Sequence, residues 1–485
     1  MANPAEDSPG GALSEANKQP RYVRRKKIHP KLAFGRYRII KWSALIALLA
    51  FYYLIPWLRW DRGLNTPDQA ILVDIPARKF YFFFIELWPQ EIYYWTGLLI
   101  LAAVGLFFVT SIAGRVWCGY ACPQTVWTDL FIYVERLFEG DRNARIRLDK
   151  ARWGIGKILR KLGKHLVWIL IGIVTGGAWV FYFVDAPTLA RELLAFEAPS
   201  SAYLTIAFLT ATTYVMAGWA REQVCTYMCP YARFQSAMFD EDTLLVTYRD
   251  ELGEPRGSHK KDASWDARGR CVDCNQCVAV CPTGIDIRDG QQLECINCAL
   301  CVDACNSIMD RVGQPRGLIR YDTQRNLEAR ETGADTRARI IRPRTVTYAA
   351  ILVVLMAIMV VSLWTRSTLE VNVLRDRNPL FTLLSDGSVR NGYTYKVLNK
   401  SHDSLSLTLR AEGIPGATLR VLGTEAEETE VMISARPDQV ESFRIFVHAP
   451  LRALEGGSND LRFLLMNSAG ESIDIAGTAF VGPDK

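Results

Sequence analysis

Eight of the twelve cysteines fall in two runs of identical spacing, and this repeat restricts the fold more than any other feature of the chain. Three thiolates separated by two residues each hold one corner of an iron–sulfur cube, while the fourth, more distant cysteine ligates the neighbouring cube. We therefore predict two [4Fe–4S] clusters with interlocked ligands. The first would be held by Cys271, Cys274, Cys277 and Cys305, and the second by Cys295, Cys298, Cys301 and Cys281.

Structural zinc is the alternative interpretation of these runs, but four-ligand zinc sites usually combine two separated Cys-x2-Cys pairs. One departure from the bacterial ferredoxin run is Asn306, which follows Cys305 where that run has proline. The proline shapes a turn and ligates nothing, so the predicted ligands stand. Because cubane clusters exchange single electrons, residues 253–320 are predicted to form a bacterial 2[4Fe–4S] ferredoxin-like domain that carries electrons.

The rest of the chain is apolar enough for a membrane protein, with 49% hydrophobic residues and 13 tryptophans. Five apolar stretches reach the length of about 20 residues that a helix needs to cross a bilayer. Buried helices of a soluble core are the alternative. A cleaved signal peptide does not fit, since the first stretch follows a long polar tail. The predicted spans are Ile39–Leu58, Ile92–Ala113, His165–Val184, Tyr203–Ala220 and Val346–Trp364.

Basic residues predict the orientation of these spans. Nine lysines and arginines lie between Arg21 and Lys41, and the loop between spans two and three is also basic, whereas the loop between spans three and four holds only Arg191. The positive-inside rule then places the tail (residues 1–38), the ferredoxin-like segment and the linker (residues 321–345) in the cytoplasm of a bacterial inner membrane. The net charge of +6 lies largely beside the membrane and needs no nucleic-acid partner.

The fifth span (residues 346–364) should then place residues 369–485 on the periplasmic side of the membrane. Short alternating runs broken by Gly and Pro, such as those beginning at Tyr393, Ser404 and Ser442, predict a seven-strand immunoglobulin-like β-sandwich. No cysteine lies in this part of the chain. We expect the domain to serve docking or stability.

The remaining four cysteines form two Cys-x3-Cys-Pro motifs, Cys118 to Cys122 and Cys225 to Cys229, each just after an even-numbered span. Their equivalent positions indicate an internal repeat within the four-helix region, residues 39–252. Cysteines at i and i+4 share one helix face, so two such pairs could build one four-thiolate site. Soft ligands of this kind select Cu(I), zinc or iron–sulfur. Small buried hydrophobes are the structural alternative.

Other redox cofactors are not indicated by the sequence. A membrane cytochrome needs axial ligands within its spans, and only His165 lies near one, at its start and without a partner. No glycine-rich dinucleotide fingerprint follows a strand, which argues against a bound flavin or nicotinamide.

In these motifs the chain resembles the FixG/CcoG/RdxA family, accessory factors for assembly of the cbb3-type cytochrome c oxidase. The resemblance rests on both Cys-x3-Cys-Pro repeats, the ferredoxin runs, the segment Asp74-Ile-Pro-Ala-Arg-Lys-Phe80 and the immunoglobulin-like domain. It implies a cupric reductase that converts Cu(II) to Cu(I), with copper held by Cys118, Cys122, Cys225 and Cys229. By the same resemblance, copper chaperones or transporters and oxidase assembly factors are the expected partners, while the electron donor is not identified.

Three functions therefore compete: copper reduction for oxidase assembly, a quinol- or ferredoxin-linked carrier serving another reductase, and a non-enzymatic assembly scaffold. The carrier predicts a quinone site among the spans and an activity that copper does not affect. The scaffold would tolerate loss of the clusters.

Overall fold

The computed structural model describes residues 27–63, 66–259, 265, 268–331, 338–423 and 427–483. Residues 1–26 of the predicted basic tail and residues 332–337 of the predicted linker lie outside the described residues. The chain divides into two units. One comprises the residues up to Trp60 together with Asp68–Met356, and the other comprises Asp61–Pro67 together with Ala357–Lys485.

Five helices in the described part of the chain are long and apolar enough to cross a membrane, which confirms the predicted number of spans. Large apolar side chains such as Leu99, Leu166 and Leu204 are exposed on them, as expected for surfaces that face lipid. The spans are Arg36–Trp57, Pro89–Ala113, Ile155–Val180, Ser200–Ala220 and Pro343–Trp364.

The third span differs from its prediction at both ends. It was expected at His165–Val184, but the helix begins at Ile155 and ends at Val180. Its first turns carry Lys157, Arg160, Lys161 and Lys164, which are polar yet helix-forming. Hydropathy detects only the apolar part of such a helix, so His165 lies well inside it rather than at its start.

The helices of the first unit are numbered in chain order. They are α1 (Arg36–Leu54), α2 (Ile92–Ala113), α3 (Val116–Tyr120), α4 (Pro123–Glu139), α5 (Arg142–Lys150), α6 (Ile155–Val180), α7 (Ala186–Ala195), α8 (Ser200–Thr213), α9 (Pro230–Ala237), α10 (Asp250–Gly253), α11 (Gln276–Val280), α12 (Leu300–Arg311), α13 (Gln324–Glu331) and α14 (Pro343–Trp364). Helix α8 continues as a π-helix over Tyr214–Ala220, and a second π-helical turn covers Val224–Met228.

The loop after α1 folds into a three-stranded antiparallel sheet with the order β1-β2-β3. The segment Asp74–Phe80 forms its first hairpin, in which Asp74 pairs with Lys79 and Arg78 takes a positive φ of 56°. The strands are β1 (Ile71–Asp74), β2 (Lys79–Phe82) and β3 (Ile85–Leu87).

Strands β4 (Leu245–Tyr248) and β5 (Ile319–Asp322) lie before and after the cysteine-rich segment in sequence, and they pair antiparallel, which brings the two ends of the segment together. Strand β4 lies before the predicted domain limit at residue 253. The segment also packs under α1, because the Asp303 carboxylate accepts hydrogen bonds from the backbone N–H groups of Tyr37 (3.3 Å) and Arg38 (2.8 Å). A carboxylate in this position stabilises the positive end of the α1 dipole.

The second unit ends in a β-sandwich of nine strands rather than the seven predicted, in sheets of five and four. The extra strands are short, as β7 and β10 show, and propensity does not resolve them from loops. Tyr393, Phe463 and Phe480 are among the fully buried residues between the sheets. The strands are β6 (Leu369–Arg375), β7 (Thr382–Leu383), β8 (Ser388–Asn399), β9 (Leu405–Glu412), β10 (Thr418–Val421), β11 (Glu430–Ala435), β12 (Gln439–Pro450), β13 (Ser458–Met466) and β14 (Ser472–Val481).

Candidate redox and metal site

The eight cysteines of the two runs lie close enough together for their thiols to interact in two groups. In one group, the thiol of Cys305, the last cysteine of the second run, interacts with those of Cys277, Cys271 and Cys274. In the other group, the thiol of Cys301 interacts with those of Cys298, Cys295 and Cys281, and more weakly with that of Cys277 from the first group. An apolar cavity is lined by this second group. The residues present therefore fit two four-thiolate cofactors.

The backbone around each group has the same unusual conformation. Asp273 and Asn275 have φ values of 53° and 54°, and the equivalent Asn297 and Ala299 have 53° and 55°. Alternating left-handed residues turn successive N–H groups to one side, which creates concavities that suit anionic groups such as iron–sulfur clusters. Ala299 has no side chain that favours this conformation, and such strain is typical of functional sites.

Most of the cysteines in these groups are buried or half-buried, whereas Cys274 is exposed. Burial raises the pKa of Cys277 to about 11, and raises the pKa of Cys295 and of Cys305 to about 12. Free thiols here therefore keep their protons at neutral pH, and a metal must displace those protons in order to bind.

The other four cysteines also meet, and both repeats contribute to their site. The thiol of Cys225 interacts with those of Cys122, Cys118 and Cys229. Among the described residues, however, no three His, Cys, Asp or Glu side chains are arranged around a single ion. We call this four-cysteine cluster the paired-cysteine site.

The prediction that each pair shares one helix face is wrong. Cys118 lies in α3, but Cys122 lies beyond its end and is the N-cap of α4. Cys229 is likewise the N-cap of α9, after the π-helical turn that holds Cys225. The proline of each motif explains the break, because proline suits the first position of a helix and cannot continue a preceding one.

The two motifs nevertheless have the same local structure. The N–H of Cys122 donates to the Trp117 carbonyl at 2.9 Å, and the N–H of Cys229 donates to the equivalent Val224 carbonyl at 2.8 Å. Gly114 and Arg221 end the preceding membrane helices with φ values of 56° and 46°. This correspondence supports the predicted internal repeat.

Two polar residues that the sequence analysis missed contact the paired-cysteine site. The Cys118 thiol donates to Gln235 Oε1 at 3.0 Å, and Gln235 Nε2 donates to Thr110 at 3.1 Å. Burial raises the pKa of Cys118 to about 11, while Arg115 opposes that rise. Arg115 is buried and also donates to the Leu293 carbonyl. A single arginine or glutamine outside a motif gives no signal in one sequence.

The paired-cysteine site lies directly against the second cysteine group. Cys118, Ile296 and Cys298 belong to one buried cluster. The Tyr120 hydroxyl donates to the Cys298 carbonyl at 3.0 Å. A Cβ atom on Gly119 would lie only 2.6 Å from the Ile296 carbonyl oxygen, so glycine is needed for this approach. Electrons could thus pass between the two sites through a few bonded and packed groups.

Comparison with known proteins agrees with this architecture. The family model described as a 4Fe-4S dicluster domain matches residues 220–324, and one described as a 4Fe-4S binding domain matches residues 95–141. A third, described as an IG-like fold at the C-terminal of FixG, matches residues 359–483. The chain is thus a multi-domain membrane protein with iron–sulfur domains and an immunoglobulin-like domain.

Curated relatives match over most of their length. Nitrogen fixation protein FixG of Rhizobium meliloti (strain 1021) is 52% identical, over 89% of this chain and 88% of that protein. Protein RdxB of Cereibacter sphaeroides is 51% identical, over 85% and 90%, and protein RdxA of the same species is 47% identical, over 93% and 96%. The chain therefore belongs to the FixG/RdxA family of membrane iron–sulfur redox proteins.

Proposed function

We propose that the protein is a cupric reductase, which reduces Cu(II) to Cu(I) at the paired-cysteine site for assembly of a cbb3-type oxidase. The observation that carries the proposal is the contact of this site with the loop of the second cysteine group, through Gly119 and Tyr120. A soft-ion site beside an electron carrier is what a metal reductase requires. Copper chaperones or transporters and oxidase assembly factors remain its proposed partners.

The proposed ligands follow the two groups of thiols. One [4Fe–4S] cluster would be held by Cys271, Cys274, Cys277 and Cys305, and the other by Cys295, Cys298, Cys301 and Cys281. When bound, such clusters supply reversible one-electron transfer, at potentials within about −700 to +450 mV. Each Cu(II) ion would take one electron.

The chain's own residues would hold the copper in the reduced state. Cu(I) prefers thiolates to oxygen ligands, and a pair of thiolates suffices for it. Gln235 fixes the position of the Cys118 sulfur, and Arg115 favours its deprotonated form. Cys118 is buried and the other three cysteines are half-buried, which would restrict the access of competing water ligands.

We further propose that the basic tail and the cysteine-rich segment face the cytoplasm and that the immunoglobulin-like domain is periplasmic, in the bacterial inner membrane. The charge distribution supports this orientation. It would keep all twelve cysteines in, or next to, the reducing compartment.

The test replaces Cys118, Cys122, Cys225 and Cys229 with serine in the full chain, purified anaerobically. We expect unchanged iron and sulfide content but loss of Cu(I) binding and of Cu(II) reduction, because hydroxyls are poor Cu(I) ligands. The matched variant Cys274→Ser should show the opposite pattern, in which copper binds but is not reduced.

Other outcomes would identify other functions. Loss of iron in the fourfold variant would mean that the paired cysteines hold a further cluster, an alternative that the 4Fe-4S match to residues 95–141 favours. Retention of iron and of full Cu(I) affinity would make these cysteines structural. Electron transfer to another acceptor that copper does not affect would identify a carrier for a different reductase.

A further inference from the structure

A second site lies in the same unit, between the third and fourth spans. A cavity of about 320 Å³ is found there, within the range of about 300–1,000 Å³ that is typical of small-molecule sites. No function described above uses it. The lining that matters most is formed by Lys164, His165, Trp168, Tyr214, Trp219 and Arg221.

The wall of this cavity is a rigid aromatic surface. Trp168 is 3% exposed and stacks on Phe131, with ring centroids 5.1 Å apart and an angle of 18° between the planes. Its Nε1 donates to the Phe131 carbonyl at 3.1 Å. A Cβ on Gly218 would lie 3.1 Å from the Trp168 ring, so a glycine permits this packing. Trp168 therefore forms a fixed apolar side of the cavity, while Trp219, which is 68% exposed, is the aromatic ring that a planar ligand can contact.

A polar pair stands beside the aromatic wall. His165 Nδ1 and the Tyr214 hydroxyl are 2.9 Å apart. His165 lines the cavity, and no hydrogen bond joins its other ring nitrogen to a described residue. In the tautomer that donates from Nδ1, Nε2 is a proton acceptor. The sequence analysis treated this histidine as lacking a partner because Tyr214 comes from another helix.

Positive charge surrounds the same space. Lys164 Nζ lies 4.7 Å and Arg221 Cζ lies 5.5 Å from the centre of the Trp168 ring. Both cations also contact the buried Glu135 carboxylate, at 3.5 Å and 2.6 Å, which Arg145 contacts as well at 2.9 Å. Lys164 also contacts the Glu139 carboxylate at 2.9 Å, and Glu222 lines the cavity too, so this positive charge is partly compensated. The two cations beside the Trp168 ring are the groups that would stabilise an oxygen losing its proton.

The second repeat is distorted at this cavity and the first repeat is not. Tyr214, Gly218 and Trp219 all belong to the π-helix, whereas the equivalent part of the first repeat is the regular end of α2. Arg221 adopts a positive φ where the first repeat has Gly114. π-Helical turns and strained non-glycine residues concentrate at functional sites.

The cavity is also connected to lipid and to the metal sites. Trp219 is 68% exposed on the apolar surface of the fourth span, so a lipid-soluble molecule can reach it. On the inner side, Arg221 and Glu222 line a second, smaller cavity as well, which is lined in addition by Cys225, Pro282 and Ile296. The first cavity thus lies one residue layer from the paired-cysteine site and the second cysteine group.

We propose that this cavity binds a membrane quinol and is where electrons enter the protein, an inference that rests on the proposed reductase function. Oxidation of one quinol converts its two C–OH groups to C=O and releases two protons and two electrons. His165 Nε2 accepts the first proton, and water receives both in turn. The cofactors that the two cysteine groups would hold would take up these electrons one at a time, and two Cu(II) ions would be reduced to Cu(I).

The experiment uses the full, cluster-loaded protein in detergent without oxygen. Decylubiquinol is added and bleaching of the cluster absorbance is followed. Binding is measured separately, as quenching of tryptophan fluorescence by decylubiquinone. The variants are His165→Gln and Tyr214→Phe, and the control is Tyr53→Phe, which removes a partly buried hydroxyl bonded to Thr175 at 2.8 Å elsewhere in the bundle.

Each cavity variant should weaken quinone binding and slow quinol-driven bleaching by about tenfold, the effect of one lost ligand hydrogen bond. The control should match the wild type. Cu(II) reduction driven by dithionite, which bypasses the cavity, should be unchanged in all three variants.

The outcomes separate this proposal from the reductase function. If decylubiquinol does not bleach the wild-type clusters, or bleaches every variant equally, the quinol site is refuted even when dithionite-driven Cu(II) reduction proceeds. If phosphatidylglycerol vesicles occupy the cavity and decylubiquinone does not compete, the site binds a lipid headgroup and the proposal is overturned. If dithionite-reduced protein fails to reduce Cu(II), the reductase function fails while the quinol measurements remain valid.

Discussion

Replacement of Gly119 by alanine tests the contact on which electron transfer to the paired-cysteine site depends. The added Cβ would lie 2.6 Å from the Ile296 carbonyl oxygen and 3.1 Å from both the Cα and the N of Cys298. Ordinary contacts begin at 3.4 Å, so the facing loop would have to retreat by about 0.8 Å. All three neighbours are backbone atoms, which cannot move aside by rotation as a side chain can.

The expected cost follows from two opposing effects. Overpacking of this kind costs about 1–3 kcal/mol. Alanine regains up to about 1 kcal/mol because it is the better helix former, and Gly119 lies in α3. We therefore expect a net loss of about 1–2 kcal/mol, which shifts the equilibrium between the docked and the undocked loop roughly 5- to 30-fold.

Hydrogen exchange measures this equilibrium directly. Backbone amides in residues 293–300 should exchange faster by that factor in Gly119→Ala, since a local opening of lower free energy exposes them more often. Iron content should stay at the wild-type value because no cysteine is altered, while Cu(II) reduction should slow. Gly177→Ala is the matched control: Gly177 is also a buried helical glycine, but nothing lies within 4 Å of its added Cβ.

Equal exchange rates in the Gly119→Ala and Gly177→Ala proteins would refute the reasoning. They would mean that the loop of the second cysteine group does not pack on the Cys-x3-Cys-Pro segment in the way described. The coupling that the proposed function needs would then lack its physical basis.

Three other predictions concern the metal content, the charged cluster and the topology. Metal analysis should find about eight iron and eight sulfide per chain, and Cys281→Ala should damage the cluster of the second run rather than its own. Glu135→Gln should destabilise the protein by about 3–5 kcal/mol in thermal unfolding, because the buried Arg145 and Arg221 lose their carboxylate partner, while Lys164 keeps its contact with Glu139 at 2.9 Å. Burial raises the pKa of Glu135, but the neighbouring cations have the larger combined effect and lower this pKa to about 2. The stability that the charged carboxylate contributes is therefore fully present above the ordinary pKa of 4.5 and is lost as the pH falls through about 2. The control Asp310→Asn, in an exposed ion pair, should not change the unfolding temperature. A reporter fused after Lys485 should be active only outside the cytoplasm and one placed near Gly257 only inside, and activity on the same side would contradict the orientation.

The type of cofactor could be predicted from the sequence because cluster ligation restricts both the identity and the spacing of the ligands, and the assignment of individual cysteines to each cluster stays a prediction. A run of three closely spaced thiolates closes on itself, and the fourth must reach the neighbouring group. The five spans were equally predictable, since a bilayer requires a minimum apolar length whatever the tertiary contacts are.

Helix geometry at the Cys-x3-Cys-Pro motifs was not predictable in the same way. Spacing of i and i+4 suggests one helix face, but Pro123 and Pro230 start new helices, so Cys122 and Cys229 become N-caps. The proline after the second cysteine of each motif was the feature of the sequence that could have indicated this break in the helix. The four thiols still meet because helices from both repeats bring them together, and tertiary contacts of that kind leave no trace in local periodicity.

His165 illustrates a different limit. Hydropathy placed His165 at the start of the third span because the lysines before it are polar, yet these lysines belong to the same helix. Its partner Tyr214 is 49 residues away in sequence. A single sequence carries no sign of such a pair, so the histidine could be recognised only once α6 and the π-helix were seen side by side.

The two repeats differ at the ends of their membrane helices, which indicates that they have different roles. The membrane helix of the first repeat ends at Gly114, which adopts a positive φ at no steric cost. The helix of the second repeat ends at Arg221, for which the same backbone conformation is unfavourable because of its side chain. Arg221 places its guanidinium 2.6 Å from Glu135 and beside the Trp168 ring. Strain of this kind persists only where the surroundings compensate for it. The two cysteine motifs have the same local hydrogen bonds, so the repeats differ mainly at the cavity. The second repeat combines half of the paired-cysteine site with the helix end that lines this cavity, and the first repeat has no such distortion at the equivalent helix end.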